Sequence, residues 1–282
     1  MGIVPSMTNP NSDRIRKISI LRTAAGRRRS GAFIVEGPQS VREAVEHTPG
    51  FVRDLYLTVE ASQRHPEILD AATASGLYLH LCSPDVIAAM SPDAQGVVAV
   101  LTSPDRHRTD FTASGRRGGR FFAGLIEARD PGNTGAIIRA ADAAGAGGVV
   151  LSAGSVEIEN PKVVRSSAGS LFHLPITTGA RTPELIGAAK AAGIQVLATT
   201  AQGAHRLDEL GAPTPPSGIR LAEPTLWLFG NEAHGLPREA LELADATIAI
   251  PIYGHAESLN LAMAATLCLY ASATHCAAHH SA

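Results

Sequence analysis

The stretch ATIAIPIYGHAESLNLAMAATLCLY, residues 246–270, decides the fold of the second half of the chain. It begins as a short β-branched, apolar run of the kind found in buried strands. Pro251 has no backbone N–H with which to bond a neighbouring strand, and Gly254 permits backbone angles that other residues resist. Ser258 is a good N-cap for a helix that we predict over Leu259–Ala273. The intervening loop would lie at the carboxyl end of a strand, where open α/β sheets bind ligands, although an ordinary final βα unit is the simpler interpretation of this stretch alone.

The same alternation of strands and helices extends upstream. Apolar runs that predict buried strands are Phe121–Ile126, Gly148–Leu151, Gln195–Thr199 and Thr225–Phe229. Helical patterns cover Thr134–Ala144, Thr182–Ala192 and Pro237–Ala244. This order predicts an α/β fold with a mostly parallel sheet that has helices on both faces. Shorter strands and helices in the first hundred residues predict a smaller α/β domain at the N-terminus.

Composition divides the chain into four segments. Residues 1–12 are rich in Pro, Ser and Asn and lack periodicity, so we predict that they are disordered. The smaller α/β domain is predicted over residues 13–103. Residues 104–119 are rich in Arg, Gly, Ser, Thr and Asp, which is typical of a linker. The large α/β domain is predicted over residues 120–282.

Charge is distributed unevenly along the chain. Residues 1–120 carry 15 basic and 12 acidic side chains, whereas residues 121–282 carry 9 and 14. Near the N-terminus, seven basic residues follow one another without an intervening acid. Basic clusters suit a polyanion because neutralised phosphates release condensed counterions, and we predict that Arg27, Arg28 and Arg29 bind RNA. The alternative is that these arginines form an ordinary solvated surface. Of the 24 basic residues 21 are arginine, as is typical of a protein from an arginine-rich proteome, so an arginine cluster need not have a function.

Several common chemical signatures are missing. The sequence contains no G-x-x-x-x-G-K-[ST] loop, no strand that leads into G-x-G-x-x-G, and no C-x-x-C or H-E-x-x-H pair. We therefore expect no metal, and we interpret the tail His275–His280 as a frayed terminus rather than a ligand set. No apolar run is typical of a signal peptide or long enough to span a bilayer. We expect a cytoplasmic protein without membrane association.

Three glycine-bearing loops remain, each after a predicted strand. They are DPGNTGAIIRAADAAG at residues 130–145, LFGNEAHGLP at residues 228–237, and the loop within residues 246–270. In the first loop, Asn133 lies where a helix opens, and the amides and dipole of a helix start favour a nearby anion. Gly230, Gly235 and Gly254 let the backbone approach a ligand closely. Together the loops predict a pocket lined by main-chain donors and acceptors, which suits adenine.

Arg139 lies among apolar residues in the helix that follows the first loop. A desolvated guanidinium without a partner is costly, so this side chain needs one. A salt bridge to Asp142, three positions further on, would make Arg139 purely structural. A position beside the predicted pocket would instead make it functional.

The three loops together resemble the SpoU/TrmH family of S-adenosylmethionine-dependent RNA ribose 2′-O-methyltransferases, within the knotted SPOUT class. The matching positions are Asn133 with Arg139, Gly230-Asn231-Glu232 followed by Gly235-Leu236, and Ile250-Pro251 followed by Ser258-Leu259-Asn260. The N-terminal domain resembles the L30e-like RNA-binding extension of many members, on the run Phe33-Ile34-Val35-Glu36-Gly37 before a helix.

The resemblance implies a fold, a reaction and a site. The fold is a SPOUT domain with a trefoil knot in its last third, which forms a homodimer through the final helix. The reaction is methyl transfer from S-adenosylmethionine to a ribose 2′-hydroxyl of RNA, with 23S ribosomal RNA as the preferred substrate. The implied catalytic residues are Arg139, Asn133, Glu232, Ser258 and Asn260. The implied cofactor-binding residues are Leu228, Phe229, Gly230, Asn231, Glu232, Ile250, Pro251, Ile252, Gly254, Ser258, Leu259 and Asn260.

Other functions are compatible with parts of this pattern. One alternative is a tRNA 2′-O-methyltransferase, and another is an RNA-binding module whose second domain has lost catalysis. An enzyme is favoured over such a module by the five retained residues Asn133, Arg139, Glu232, Ser258 and Asn260. A dehydrogenase of the NAD type is disfavoured, because the glycine fingerprint of dinucleotide binding is missing.

Overall fold

The computed structural model describes residues 5–106, 111, 119–211 and 218–280, with residues 278–280 described by their backbone only. The chain forms two compact units. The first comprises Met1–Pro104 and Glu157–His173, and the second comprises Asp105–Val156 and Leu174–Ala282. Most of the linker that we predict at residues 104–119 lies outside the described residues.

A four-stranded mixed sheet forms the centre of the first unit. Its strands are β1 (Ala32–Glu36), β2 (Val52–Thr58), β3 (Leu79–Cys82) and β4 (Val97–Thr102). They lie in the order β1-β4-β2-β3, with β4 antiparallel to both of its neighbours and β3 parallel to β2. Every residue of β1 and all but the last residue of β4 are buried, because their apolar side chains pack on both faces of the sheet.

Six short helices lie before residue 104 in the described part of the chain. They are α1 (Asp13–Ser19), α2 (Ala24–Ser30), α3 (Pro38–His47), α4 (Val59–Arg64), α5 (Pro66–Ala74) and α6 (Pro84–Met90). Helices α3, α5 and α6 begin with proline, whose fixed φ angle suits the first helical turn. Thr23 separates α1 from α2, since its hydroxyl accepts from the amide of Gly26 and starts a new helix.

The N-terminal residues differ from the prediction of disorder through residue 12. The amides of Ser6 and Met7 both donate to the carbonyl of Leu81 in β3, at 2.9 and 3.0 Å. The amide of Ser83 in turn donates to the carbonyl of Met7 at 2.9 Å. Because β3 is an edge strand with unpaired backbone groups, it offers these partners, and composition alone does not reveal them.

Residues 157–173, which the sequence analysis assigns to the second domain, belong to the first unit. They contain α8 (Pro161–Ser166) and a 3-10 turn over Ser170–Phe172. Arg165 donates to Glu36 at 2.5 Å and to Asp93 at 2.8 Å. Glu36 is only 5% exposed, so its carboxylate needs such a partner, and the ion pair explains why this segment packs against β1.

A seven-stranded sheet forms the centre of the second unit. Its strands are β5 (Phe121–Leu125), β6 (Gly148–Ser152), β7 (Ile176–Ala180), β8 (Gln195–Thr199), β9 (His205–Arg206), β10 (Thr225–Phe229) and β11 (Ala246–Ala249). Their order is β7-β6-β5-β10-β8-β11-β9, and every neighbouring pair is parallel. The predicted parallel sheet is therefore confirmed, although neither β7 nor the two-residue β9 is among the predicted strands.

Four helices of six to twenty residues accompany this sheet within the described ranges. They are α7 (Pro131–Ala144), α9 (Thr182–Ala191), α10 (Arg238–Leu243) and α11 (Leu261–His280). The central strands β5 and β10 are buried at every position, as parallel strands covered on both faces usually are. Trp227 in β10 is fully buried, and its indole N–H donates to the hydroxyl of Ser272 in α11 at 2.9 Å. None of the helices described, α11 included, has the length and apolarity needed to cross a membrane.

Candidate active site

Three loops meet at the carboxyl ends of the central strands of the second unit. The first follows β5 and leads into α7, the second follows β10, and the third joins β11 to α11. Because the strands are parallel, their carboxyl ends lie along one edge of the sheet. In open α/β sheets this edge is where ligands bind, so the loops that the sequence singles out lie where a site is expected.

Asn133 joins the three loops directly. Its side-chain amide donates to Glu232 Oε1 at 2.9 Å, and its Oδ1 accepts from Asn260 Nδ2 at 3.0 Å. Asp130 caps α7 by accepting the amide of Asn133 at 2.6 Å, which holds Asn133 in the first helical turn. The structure thus brings together three of the five predicted catalytic residues in one chain of hydrogen bonds.

The loop after β10 is closed by a short backbone ladder. The amide of Asn231 donates to the carbonyl of Gly235 at 3.0 Å, and the reverse bond measures 2.7 Å. Asn231 also donates through Nδ2 to the carbonyl of Glu127 at 2.9 Å, which ties this loop to the loop after β5. Asn231 therefore shapes the site through the backbone around it.

Gly230 has a structural reason to lack a side chain. A Cβ atom at this position would lie 2.2 Å from the carbonyl carbon of Gly235 and 2.4 Å from the amide of Leu236. The sequence predicts that the backbone at Gly230 approaches a ligand closely. In the structure, the atoms that leave no room for a side chain at Gly230 belong to Gly235 and Leu236 of the same loop. Gly254, in contrast, lacks a positive φ, so the predicted need for special backbone angles there is wrong. Nothing lies within 4 Å of its would-be Cβ, and its close approach to a ligand stays a prediction.

The final helix begins later than predicted. Helix α11 starts at Leu261, and Asn260 is its cap, because Asn260 Oδ1 accepts from the amides of Ala262 and Met263 at 2.9 and 3.4 Å. Ser258 is therefore not the N-cap that the sequence analysis proposes; it is exposed and lies in the loop before the helix. Asparagine caps as well as serine does, and two candidates two residues apart cannot be ranked from sequence alone.

A cavity of about 440 Å³ lies beside the ends of β8 and β11. Five of the predicted cofactor-binding residues line it: Ile250, Pro251, Ile252, Ser258 and Leu259. The walls also include residues that were not predicted to bind the cofactor: Thr199, Thr200, Ala201, Arg206, Ile248, Ala249, Glu257 and Ala264. The apolar strand ends and exposed loop backbone match the kind of wall expected for an organic ligand.

The other predicted cofactor residues are not among those that line this cavity. Leu228 and Phe229 are fully buried within β10, and the carbonyl of Leu228 accepts from Thr199 Oγ1 at 2.8 Å. Thr199 also lines the cavity, so this hydrogen bond connects the cavity wall to β10. Its position at the end of a predicted strand was the available signal, since ligands bind where parallel strands end.

Charged groups lie at one side of the cavity. Arg206 donates to Asp208 at 2.8 Å, and Asp208 also accepts from the hydroxyl of Tyr253 at 2.9 Å. These two hydrogen bonds, that from Arg206 first, lower the pKa of Asp208 to about 2. The same bond to Asp208 raises the pKa of Tyr253 above its ordinary value. At neutral pH the cavity wall therefore carries a guanidinium, which is held in place by a carboxylate.

Arg139 lies apart from this network within one chain. Its side chain is exposed, and it forms no ion pair or hydrogen bond with another described residue. The salt bridge to Asp142 that would have made it structural is not formed. Asn133 is already bonded to Glu232 and Asn260, so it does not orient Arg139 in the single chain.

Arg27 is not available to bind RNA, which corrects one of the three predicted contacts. Its side chain is only 6% exposed and donates to Glu157 at 2.5 Å, and to the carbonyl of Arg22 at 3.1 Å. Arg28 and Arg29 are exposed, and Arg28 also pairs with Glu157 at 3.2 Å. Helix α2 turns one of three consecutive arginines inward, and a count of basic residues cannot show this.

Comparison with known families agrees with this geometry. The model of the SpoU rRNA Methylase family matches residues 120–270, and that of the RNA 2′-O ribose methyltransferase substrate-binding domain matches residues 34–106. The chain belongs to the SpoU rRNA methylase family. The match covers more than half of the chain and contains all three loops of the candidate site.

Relatives in this SpoU family are similar along most of their length. The chain is 32% identical over 262 residues to the 23S rRNA (guanosine(2553)-2′-O)-methyltransferase RlmP of Bacillus subtilis, covering 92% of this chain and 95% of the relative. It is 34% identical over 257 residues to a 23S rRNA (uridine(2479)-2′-O)-methyltransferase of Streptomyces viridochromogenes, covering 86% and 83%.

A solved SpoU structure shares the fold. The SpoU methyltransferase AviRb from Streptomyces viridochromogenes, in complex with the cofactor AdoMet, matches with a TM-score of 0.77 and 31% identity, over 94% of this chain and 98% of that chain. The fold class predicted from the resemblance, a SPOUT-type domain after a smaller N-terminal α/β domain, is therefore confirmed. The roles of the individual site residues stay predictions.

Proposed function

We propose that this SpoU-family chain transfers a methyl group from S-adenosylmethionine to a ribose 2′-hydroxyl of 23S ribosomal RNA. The observation that carries the proposal is the cavity beside β8 and β11, which is walled in part by the loop after β11, one of the loops that Asn133 joins. Both relatives described above are named as 23S rRNA 2′-O-methyltransferases, which supports this substrate over tRNA. The reaction would take place in the cytoplasm, with the ribosomal RNA.

The residues of the cavity fit this cofactor. A volume of about 440 Å³ lies in the range of about 300–1,000 Å³ found for organic ligands. The cavity wall holds one guanidinium, Arg206, and one carboxylate, Glu257, which are opposite in charge to the carboxylate and ammonium of a methionine moiety. Apolar Ile250, Ile252 and Leu259 offer surface for an aromatic base. When bound, the cofactor supplies an electrophilic methyl group on a sulfonium.

The chain must then help a ribose hydroxyl to lose its proton. Arg139 is a poor base, because a charged guanidinium has no lone pair with which to accept a proton. We assign Arg139 instead the role of a fixed positive charge. It would hold the RNA phosphate next to the reacting ribose and stabilise the alkoxide that forms at the 2′-oxygen, while water accepts the proton of the hydroxyl. Asn133, Glu232 and Asn260 hold the loops in position, and Ser258 lies within the cavity wall.

The test is methyl transfer with a defined substrate. Purified chain is incubated with labelled S-adenosylmethionine and either 23S ribosomal RNA or bulk tRNA, and the labelled nucleotide is identified by nuclease digestion and mass spectrometry. We expect label in a 2′-O-methyl nucleotide of the ribosomal RNA. Label in tRNA alone would favour the tRNA enzyme, and calorimetry that shows no cofactor binding would favour a non-catalytic RNA-binding module.

Arg28 and Arg29 are expected to contribute to RNA affinity. Replacing both with alanine should weaken RNA binding and make the salt dependence shallower by about one unit of log–log slope per lost phosphate contact. Filter binding over a range of salt concentrations measures both quantities. Arg27→Ala is the matched comparison, since loss of its buried pair with Glu157 should lower the melting temperature of the protein. If the double variant keeps the wild-type slope, the two arginines are only a solvated surface.

A homodimer is proposed from the exposed face of α11. Met263, Leu267 and Tyr270 are 62%, 48% and 45% exposed, and Leu259 just before the helix is 38% exposed. Their spacing of three or four residues places them in one apolar stripe along the helix. Large exposed apolar patches are typical of protein interfaces, and a second copy of the chain would bury this one.

Two charges on this stripe should separate the dimer. We expect Met263→Glu with Leu267→Glu to give a monomer in light scattering after size exclusion, while wild type gives twice the chain mass. The matched control is Arg238→Glu, at an exposed position of α10 outside the stripe, which should leave the mass unchanged. A wild-type chain that is monomeric at micromolar concentration would contradict the proposal.

A further inference from the structure

A cluster of metal-binding side chains lies in the first unit, among residues that the proposed reaction does not use. Glu43 and His47 lie four residues apart on α3, so they share one face of that helix. His173 follows the 3-10 turn at the end of the segment 157–173. Glu43 Oε2 lies 3.0 Å from His173 Nε2 and 3.4 Å from His47 Nε2. One carboxylate oxygen therefore faces two imidazole nitrogens.

The spacing of these three atoms suits a tetrahedral metal ion. Zinc binds imidazole nitrogen and carboxylate oxygen at about 2.0–2.2 Å, which places neighbouring ligand atoms of a tetrahedron about 3.4 Å apart. The two oxygen–nitrogen distances are close to this value, and all three ligand atoms lie within 4.8 Å of one another. Small side-chain rotations are enough to bring them around one ion.

Glu43 is held in the orientation that this geometry needs. Its other oxygen, Oε1, accepts from Arg42 Nη2 at 2.7 Å, which leaves Oε2 directed at the imidazoles. Gly169 packs against its stem, since a Cβ at Gly169 would lie 2.4 Å from Glu43 Cγ. The side chain of Glu43 is only 15% exposed, whereas those of His47 and His173 are 44% and 27% exposed. A fixed carboxylate with a hydrogen-bonded second oxygen is typical of the ligands in metal sites.

We propose that Glu43, His47 and His173 bind a divalent transition-metal ion, with zinc as the best match. Two imidazoles and one carboxylate form a ligand set that favours zinc and its neighbours over magnesium or calcium, which prefer oxygen alone. Three protein ligands leave a fourth position for water. The ion would connect α3 to the segment 157–173 and so stabilise the first unit. The proposal replaces the expectation of no metal, which considered only ligands close in sequence.

The test is zinc binding by the full-length, tag-free chain after treatment with a chelator. We expect one zinc ion per chain in calorimetry, an increase in melting temperature with zinc, and tetrahedral visible bands when cobalt(II) is used instead. His47→Ala and His173→Ala should each weaken zinc binding by at least about 10–100-fold, the range that loss of an outer-shell partner alone produces. Circular dichroism without metal shows whether each variant is folded.

Two controls separate this site from other histidines. His65 pairs with Glu67 at 3.3 Å and belongs to no group of three metal-binding side chains within the described part of the chain, so His65→Ala should leave zinc affinity unchanged. The tail contains His275, Cys276, His279 and His280, and the titration is therefore repeated with these four residues changed to alanine. The proposal is overturned if zinc binding disappears with the tail, if His65→Ala weakens it as much as His173→Ala, or if wild type binds no zinc.

Discussion

Arg139→Ala is expected to abolish methyl transfer while the chain still binds S-adenosylmethionine with wild-type affinity. Arg139 is exposed and lines no part of the cavity, so its loss should leave the cofactor site intact. In the proposed mechanism it stabilises a forming alkoxide, and removal of one such preorganised donor usually lowers kcat by about 10²–10³-fold. Single-turnover methylation and calorimetry with the cofactor measure the two quantities separately. Full activity in this variant would remove Arg139 from the mechanism.

Arg139→Lys distinguishes the two possible contributions of this side chain. If positive charge is what matters, lysine should retain a small activity, because it keeps the charge but loses the planar fork. If the fork or a neutral guanidine is required, lysine should be as inactive as alanine. The cofactor affinity of both variants serves as the control for folding.

A mixed dimer tests which chain supplies Arg139. Within one chain, Arg139 forms no hydrogen bond or ion pair with Glu232 or Asn260, the residues that Asn133 joins. We therefore propose co-expression of Arg139→Ala with a chain that carries a cavity substitution, Ser258→Trp, each inactive alone. Activity in the mixed dimer would mean that Arg139 acts in the cavity of the other copy. No recovered activity, with dimers present, would place Arg139 and its cavity on the same chain.

Gly230→Val is expected to abolish cofactor binding and to lower activity by at least about 10²-fold, as even a small misplacement of a site can do. The reason is steric: a Cβ at Gly230 would lie 2.2 Å from the backbone of Gly235, and backbone atoms cannot rotate away. The loop would have to open, and the bonds of Asn231 to Gly235 and Glu127 would break. Calorimetry with S-adenosylmethionine measures the loss.

Gly187→Val is the matched control for this substitution. Gly187 lies in α9 of the same unit and is exposed, and its would-be Cβ has no atom within 4 Å. We expect this variant to bind the cofactor as wild type does, apart from the small cost of a β-branched residue in a helix. If Gly230→Val is folded and binds the cofactor normally, the loop after β10 is not needed for the cofactor site.

The periodicity of the sequence was sufficient for the main architecture of the second unit. Buried strands such as Thr225–Phe229 are uninterrupted apolar runs, and a helix of nearly continuous apolarity follows residue 260. The three loops were recognisable because glycine and polar side chains interrupt such runs. Strand β7, with partly polar residues at Ile176–Ala180, lacks this contrast and was missed. A knotted thread cannot be derived from periodicity, and only the resemblance implied it.

Long-range pairing accounts for most of what the sequence could not predict. Arg27 is buried because it pairs with Glu157, a residue that lies 130 positions further along the sequence. The segment 157–173 joins the first unit through Arg165 and Glu36, which are separated by 129 residues. Asn260, the cap of α11, also donates to Asn133, which lies 127 residues earlier in the chain. Each outcome requires the tertiary partner to be known first.

The hydrogen bonds of Asn133 have a consequence for synthesis of the protein. Its partners Glu232 and Asn260 come 99 and 127 residues later in the chain. Domains fold largely in the order in which they emerge from the ribosome, and contacts between distant residues form late. The hydrogen bonds that join the three loops therefore cannot be complete on the growing polypeptide until residue 260 has been translated. A chain that stops before residue 260 cannot form this network, and from the proposed roles of its residues we expect such a chain to be inactive.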